Sequence, residues 1–483
     1  RSLPKAVRDF YKYHAVMMEP WDGPAAVVYS DGRFVGAALD RNGLRPARYK
    51  IFDDDTLVLA SEVGIIPGWG SKVKTAGRLG PGRMIAVDVQ EGRLLSDTDI
   101  KDYLASQADY SEWCDRCIVN LHQRSGDAAP LLAMEDETTR RLRHVFGYDL
   151  DEEEIVLKPM LETGKEPVGS MGDDTPLAVL SRRPRLLHTY FKQLFAQVTN
   201  PAIDSLRERL VMSLKTYLGG RIGIFDRLVA DHHFLALDSP VLLEHEFNKV
   251  FEVDFIQEGL MTLPMLFDRS AGPEGMEARI REIRGRIRSR FEEGELRLIH
   301  LTDRGVDADH VPIPTLLAVG AVHSELVRLG KRIHCDILVE SGEVRDVHQL
   351  ACVLGFGANA IYPYLAMQLV KRMVSVREPD SGDTPPDETT ALQNFRDALN
   401  TGLLKIMSKM GISTLFSYQG AQIFEAIGIS DKVVEECFIG TPCPIGGIGY
   451  ALIARECLER HEKGFPETGS TPRRRWAFLS ASP

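Results

Sequence analysis

No apolar run in this sequence approaches the roughly 20 residues that a membrane-spanning helix needs, so no membrane partner is expected. Basic charge is also in short supply: 58 Lys and Arg face 69 Asp and Glu, for a formal net charge of -11. With no window in which dense Lys and Arg interleave with aromatics, that balance argues against a nucleic-acid partner. Cysteine is sparse and odd in number, seven in 483 residues, which fits a reducing cytoplasm better than a disulfide framework. Cys114-Asp115-Arg116-Cys117 is the only Cys-x-x-Cys pair, and without a second pair at ligand spacing no metal site is expected. The first residues, Arg1-Ser2-Leu3-Pro4, hold neither an initiator methionine nor a signal-peptide pattern and read as the inside of a longer polypeptide.

What is present is a globular composition, 44% hydrophobic, in a chain long enough for roughly two to four domains. Strand signals dominate its first part. Ala25–Tyr29 and Phe34–Leu39 flank Ser30-Asp31-Gly32-Arg33 as a hairpin, and Leu57–Ser61 and Met84–Val89 continue a sheet around a loop-rich stretch, 64–82. Between them Asp40-Arg41-Asn42-Gly43-Leu44-Arg45-Pro46 reads as a tight turn that projects a polar, arginine-bearing corner. Helical patterns follow from about 99 to 161, including Ser111–His122 and Glu135–Val145.

At Val168–Gly220 the period changes, and two kinds of architecture are expected to meet. Gly169, Gly172 and Pro176 forbid a continuous helix, Asp173, Asp174 and Thr175 offer capping oxygens, and Asn200-Pro201 opens a helix whose apolar face is Ile203, Leu206, Leu210 and Leu214. Beyond 235 the pattern is α/β. Leu296–Leu301, Ile333–Val339 and Ala358–Ile361 read as strands, with helices at Thr315–Leu329 and Arg345–Leu354 between them, an order that implies parallel pairing. Asp303, Arg304 and Glu340 fall at the carboxyl ends of such strands, where open α/β sheets bind ligands; helix capping and turn chemistry is the other reading of the three. Glu378–Glu388 reads as a solvated linker and Asn394–Met410 as an amphipathic helix stopped by Gly411.

Several motifs do not hold up as sites. Gly355-Phe356-Gly357-Ala358-Asn359-Ala360 follows a helix and enters a strand, the reverse of a dinucleotide fingerprint. Gly446-Gly447-Ile448-Gly449 precedes a helix but lacks a clear preceding strand. Glu244-His245-Glu246 has Lys249 where a zinc-protease helix needs its second histidine.

Taken together, Met18-Glu19-Pro20-Trp21-Asp22-Gly23-Pro24-Ala25-Ala26, Asp40 to Tyr49, Gly169 to Ser181, Asn200 to Glu208 and Gly402 to Phe424 resemble the large subunit of the glutamate synthase family, from residue 1 to about Pro466. The resemblance implies an α/β fold, α+β overall: the antiparallel part of an N-terminal-nucleophile amidotransferase sandwich, then an α/β central domain with parallel strands. It divides the chain into an amidotransferase portion at 1–120, a helical connector at 121–167, a central domain at 168–466 and a divergent tail at 467–483. The family's full enzyme makes glutamate from glutamine and 2-oxoglutarate, with ammonia passing through a tunnel to a site that uses FMN and an iron–sulfur cluster. This segment is expected to lack glutaminase activity, since Arg1 is not the free N-terminal Cys that the family uses, and to bind neither cofactor, since the flavin-barrel and cluster motifs are missing.

Its partners are then the remaining domains of the same polypeptide, with a small electron-supplying subunit or ferredoxin, in the cytoplasm or, for a plant-type source, the plastid. The resemblance puts Met171 and Thr199 beside the ammonia tunnel and makes Asp40, Arg41, Asn42, Gly43 and Arg45 a domain-docking corner. Arg45 is expected to be a buried charged hydrogen-bond partner. Other readings of the residues remain: another class II glutamine amidotransferase, or a non-catalytic α/β binding module.

Overall fold

The structure, a computed structural model, describes residues 3–18, 22–62, 64–66, 72–121, 135–169, 175–194, 203–204, 206, 209–223, 232–376 and 386–466. These fall into two compact units, 1–119 with 223–233 and 120–222 with 234–483.

In the first unit the hairpin forms as the Asp-Gly turn demands. Ala26–Ser30 pairs antiparallel with Phe34–Leu39, the Asp31 carboxylate accepts from the amides of Arg33 and Phe34 at 2.9 and 2.6 Å, and Gly32 takes φ 93°. Met84–Asp88 and Arg93–Leu95 extend this sheet to four strands. A second antiparallel sheet places Arg48–Phe52 between Leu57–Ala60 and Val73–Arg78. The last of these corrects the expectation of loop across 64–82. Val-Lys-Thr-Ala-Gly-Arg has no apolar alternation, because its side chains are largely exposed and the backbone ladder to Arg48–Phe52 holds it. Ala37, Leu39 and Ile85 of the first sheet pack with Ala47, Leu79 and the half-buried Tyr49, Leu57 and Leu59 of the second, so two antiparallel sheets share one apolar layer. Helices Lys5–Met17 and Tyr110–Cys117 join through an edge-on contact of Phe10 with Tyr110 and a tilted one of Tyr13 with Trp113.

The second unit is built on four parallel strands in the order Leu260–Pro264, Leu298–Thr302, Asp336–Glu340, Ala360–Tyr362. Helices Gly272–Glu293, Thr315–Arg328 and Val347–Gly355 return the chain between them. Leu298–Thr302, Asp336–Glu340 and Ala360–Tyr362 are buried at every position, which is why they read as near-continuous apolar runs. The long helix starts earlier than expected, at Glu388, because Asp387 caps it by accepting from Thr390 N at 2.7 Å; it ends at Gly411 in the left-handed region, φ 72°. Most of the expected linker at 378–388 lies outside the described residues.

Two expectations fail here. The described residues between 203 and 214 form bends and turns, not a helix: Leu206 and Leu210 are exposed, and the Asp204 carboxylate accepts from Leu206 N at 2.8 Å, a local bond that competes with the helical ladder. Gly446-Gly447 does have a strand, since the glycines form it themselves. Ile445–Ile448 lies parallel to Phe424–Ile429 so closely that a Cβ on Gly447 would stand 2.2 Å from Gly428 O.

Candidate functional site at the parallel strand ends

The three strand-end residues singled out from sequence converge. Leu298–Thr302 and Asp336–Glu340 run in register, so Thr302 lies opposite Glu340 and the next residues, Asp303 and Arg304, leave the sheet on the same side as Ser341 and Gly342. Glu340 accepts from Thr302 Oγ1 at 2.6 Å and from Arg304 Nε at 2.8 Å, with His300 Nε2 at 3.6 Å. Burial pushes this carboxyl up, but the His300 contact, the Arg304 charge and the Thr302 hydrogen bond outweigh it and hold Glu340 below its ordinary range. Arg304 lies over the Tyr364 ring at 3.9 Å.

Asp303 is completely buried, with both oxygens 3.0 Å from Gly342 N and a hydrogen bond to Tyr364. Burial dominates here: aided by Glu340 and Glu343, it pushes the carboxyl up to about 8 against the hydrogen bonds that favour the charged form.

Residues that sequence reasoning missed complete the cluster. Arg345, 2% exposed, donates to the carbonyls of Phe146, Gly147 and Glu343 at 2.9 to 3.1 Å and to both oxygens of Glu152 at 2.9 and 2.8 Å, beneath the Tyr148 ring at 4.1 Å. Tyr148 in turn donates to Gly342 O at 3.0 Å, and a Cβ on Gly342 would meet the Phe146 ring at 2.5 Å. Glu343 accepts from Thr315 N at 2.8 Å, taking a free amide at the start of helix Thr315–Arg328, and buried His188 stands 3.9 Å away. The available signal was Glu343-Val344-Arg345-Asp346, a run of charge directly after a buried strand.

This end of the sheet is therefore filled by the protein itself. The segment 146–152 seals it, the nearest helix amide is engaged by the Glu343 carboxylate, and the Arg304 and Arg345 guanidiniums are taken by Glu340 and Glu152. Its chemistry is that of a buried polar network that ties 146–152 to the strand ends.

The other predicted residues lie apart. Asp40 organises the corner: its carboxylate accepts from Asn42 N at 3.0 Å, Leu44 N at 3.1 Å and Arg45 N at 3.3 Å, and its carbonyl from Gly43 N and Gly82 N at 3.0 and 2.8 Å. Despite the penalty of partial burial, those amides hold the Asp40 carboxyl below its usual range. Gly43, at φ 62°, leaves no space for a Cβ against Pro81 at 2.8 Å. Arg41 pairs with Asp22 at 3.3 Å. Asn42 and Arg45 are exposed, so the buried charged partner expected at Arg45 is corrected: the turn uses its backbone amide. Asp40→Ala is expected to lower the melting temperature of the first unit clearly, whereas Arg45→Ala leaves it unchanged; thermal melts followed by circular dichroism compare the two. Met171 and Thr199 lie outside the described residues.

All seven cysteines are free and six are buried. Burial pushes Cys114 up to about 11 and Cys437 and Cys457 up to about 12, which makes these thiols poor nucleophiles and poor metal ligands. Among the described residues no group of three or more His, Cys, Asp or Glu is placed to hold a metal ion, and no described helix is long and apolar enough to cross a membrane.

Comparison with known proteins first gives the class. Residues 1–113, with their paired antiparallel sheets, match the family described as glutamine amidotransferases class-II. Residues 141–430 match the family described as glutamate synthase central domain, and the chain belongs to that family. Over 467 residues it is 41% identical to "Glutamate synthase [NADH]" of Schizosaccharomyces pombe, covering 95% of this chain and 22% of the relative. It is 39% identical to "Glutamate synthase [NADPH] large chain" of Bacillus subtilis, covering 96% and 30%. It is 41% identical to "Ferredoxin-dependent glutamate synthase 2, chloroplastic" of Arabidopsis thaliana, covering 100% and 30%. The chain thus spans between 22% and 30% of the length of these relatives.

Proposed function

We propose that this chain acts as a segment of a glutamate synthase, which makes glutamate from glutamine and 2-oxoglutarate by hydrolysing glutamine, passing ammonia through an internal tunnel and reductively aminating the oxo acid. The observation that carries this reading is the succession, in one chain, of a class II amidotransferase sandwich and a glutamate synthase central domain. The segment's part is scaffold and conduit.

FMN and an iron–sulfur cluster are assigned by this reading to other domains of the same polypeptide. The strand ends here do not fit a flavin phosphate, being sealed by Phe146, Tyr148 and Arg345 and closed at the Thr315 amide by Glu343. The cysteines do not fit a cluster, since their thiols turn singly into the protein: Cys114 toward Asp9 O, Cys437 toward Tyr450 Oη, Cys457 toward Arg460.

The relatives named for NADH, NADPH and ferredoxin are matched at 41%, 39% and 41% identity. That evenness supports placing the choice of electron donor, a small subunit or ferredoxin, outside this segment. The compartment is then the cytoplasm or, for a chloroplast-type enzyme, the plastid.

Two experiments test the reading. The purified 483-residue chain is expected to release no glutamate from glutamine, measured by a coupled dehydrogenase assay; release by the chain alone would contradict the scaffold role. In the intact enzyme, Met171→Trp is expected to leave glutamine binding in place while slowing glutamine-dependent glutamate formation far more than formation from added ammonia, because a tunnel serves only ammonia generated at the distant site. Equal loss with both nitrogen sources would remove Met171 from the conduit. Thr199, which can exchange a hydrogen bond without carrying charge, is assigned beside it and is tested by the same two-source comparison.

A further inference from the structure

Helix Thr315–Arg328, the end of helix Val347–Gly355, the loop 420–424 and the end of helix Asp431–Cys437 enclose a cavity of about 200 Å³, away from the cluster described above. Its walls are Phe356, Phe424, Phe438, Val327, Ile423 and Ile439, with His323, Ser324, Gln422 and Thr441 as the polar groups. Phe356 stacks on Phe424 with ring centres 5.5 Å apart and meets Phe438 edge-on at 4.9 Å, so the aromatic wall is a packed unit. Val327 and Ile439, 49% and 45% exposed, face solvent together with Gly420 and Gln422.

The backbone is shaped around this space. Gln422 is one of two described non-glycine residues at positive φ, 53°, and its amide occupies the place a side chain on Gly440 would take. Gly420, at φ 73°, lies so that a Cβ there would come within 3.7 Å of His323 Nε2.

The polar chemistry of the cavity is set by His323. Arg332 Nε donates to its Nδ1 at 3.1 Å, and because a guanidinium has protons to give and no lone pair to offer, Nδ1 must be the acceptor. The neutral ring then carries its proton on Nε2, and burial followed by the Arg332 charge keeps it neutral by pushing its pKa down to about 3. Among the described residues no carboxylate, lysine or arginine lines the space, and the Cys437 thiol is taken by Tyr450 Oη at 3.2 Å. A comparable apolar cavity of about 150 Å³ accepts a benzene-sized molecule.

We propose that this cavity is a binding site for a small uncharged aromatic molecule with one hydrogen-bond acceptor, its ring against Phe356, Phe424 and Phe438 and its acceptor on His323 Nε2–H. A charged ligand would lose its hydration without gaining a counter-charge.

The test uses the 483-residue chain with acetophenone, ethylbenzene and benzoate as probes, read by saturation-transfer NMR and calorimetric titration. Acetophenone is expected to bind about three- to tenfold more tightly than ethylbenzene, the effect of one hydrogen bond, and benzoate more weakly than either. Ile439→Trp, at an exposed position, should block both neutral probes. His323→Phe should bring acetophenone down to the affinity of ethylbenzene. No saturation transfer from any probe, or binding unchanged by Ile439→Trp, would overturn the site. Equal affinity for acetophenone and ethylbenzene in the unaltered chain, or benzoate bound as well as acetophenone, would overturn the assigned ligand class, even where His323→Phe does not fold.

Discussion

Arg345→Ala is expected to cost the second unit about 1–3 kcal/mol of stability, the range for leaving buried hydrogen-bonding groups without their partner. The guanidinium is held by Glu152 and three backbone carbonyls, and its removal leaves a carboxylate and those carbonyls without their donor. Arg345→Lys should recover only part of the loss. One ammonium cannot reproduce a planar fork that spans both Glu152 oxygens and lies under Tyr148 at 4.1 Å. Urea denaturation followed by far-ultraviolet circular dichroism measures both variants. A loss below about 1 kcal/mol, the level of an exposed pair, would mean that 146–152 is not sealed to the strand ends by this residue.

The second large effect is on pH dependence. The Asp303 carboxyl is raised from an ordinary 3.8 to about 8, so the folded state holds a proton that the unfolded chain releases. Its contribution to stability is therefore complete below pH 4 and is lost as the pH rises through about 8, at up to about 1.4 kcal/mol per pH unit between those values. Asp303→Asn keeps an acceptor for Gly342 N without the proton, and should flatten that part of the profile. Glu456, which burial raises to about 7, contributes a slope of the same sign, so the decisive quantity is the difference between the original chain and Asp303→Asn across pH 5 to 8.5. Parallel profiles would show that Asp303 is ionised in the fold.

Much of the architecture was legible because the relevant forces are local. The Asp31-Gly32 hairpin, the Asn42-Gly43 turn and the Gly411 helix stop each follow from a side-chain oxygen or a positive φ within a few residues. The parallel strands were legible because burial on both faces writes itself as an apolar run. Val73–Arg78 escaped because its support is a backbone ladder to a strand some 25 residues away, which leaves no side-chain period. The expected helix through Leu206 and Leu210 failed for the opposite reason: spacing suggested an apolar face, but Asp204 bonds locally and both leucines are exposed.

By itself the sequence determined the antiparallel start, the parallel α/β body, the acidic balance and the presence of Asp303, Arg304 and Glu340 at strand ends. Only the tertiary structure decided what those three residues do. Arg345 reaches carbonyls 198 and 199 positions earlier in the chain, and Glu343 meets an amide 28 positions earlier, separations that no periodicity records. The same holds for His323, whose proton is assigned by an arginine nine residues on and whose cavity is walled by helices and loops more than a hundred residues apart in sequence. Local backbone preference is a property of neighbouring residues, whereas desolvation, and with it the charge state of a buried side chain, is a property of everything that surrounds it in three dimensions.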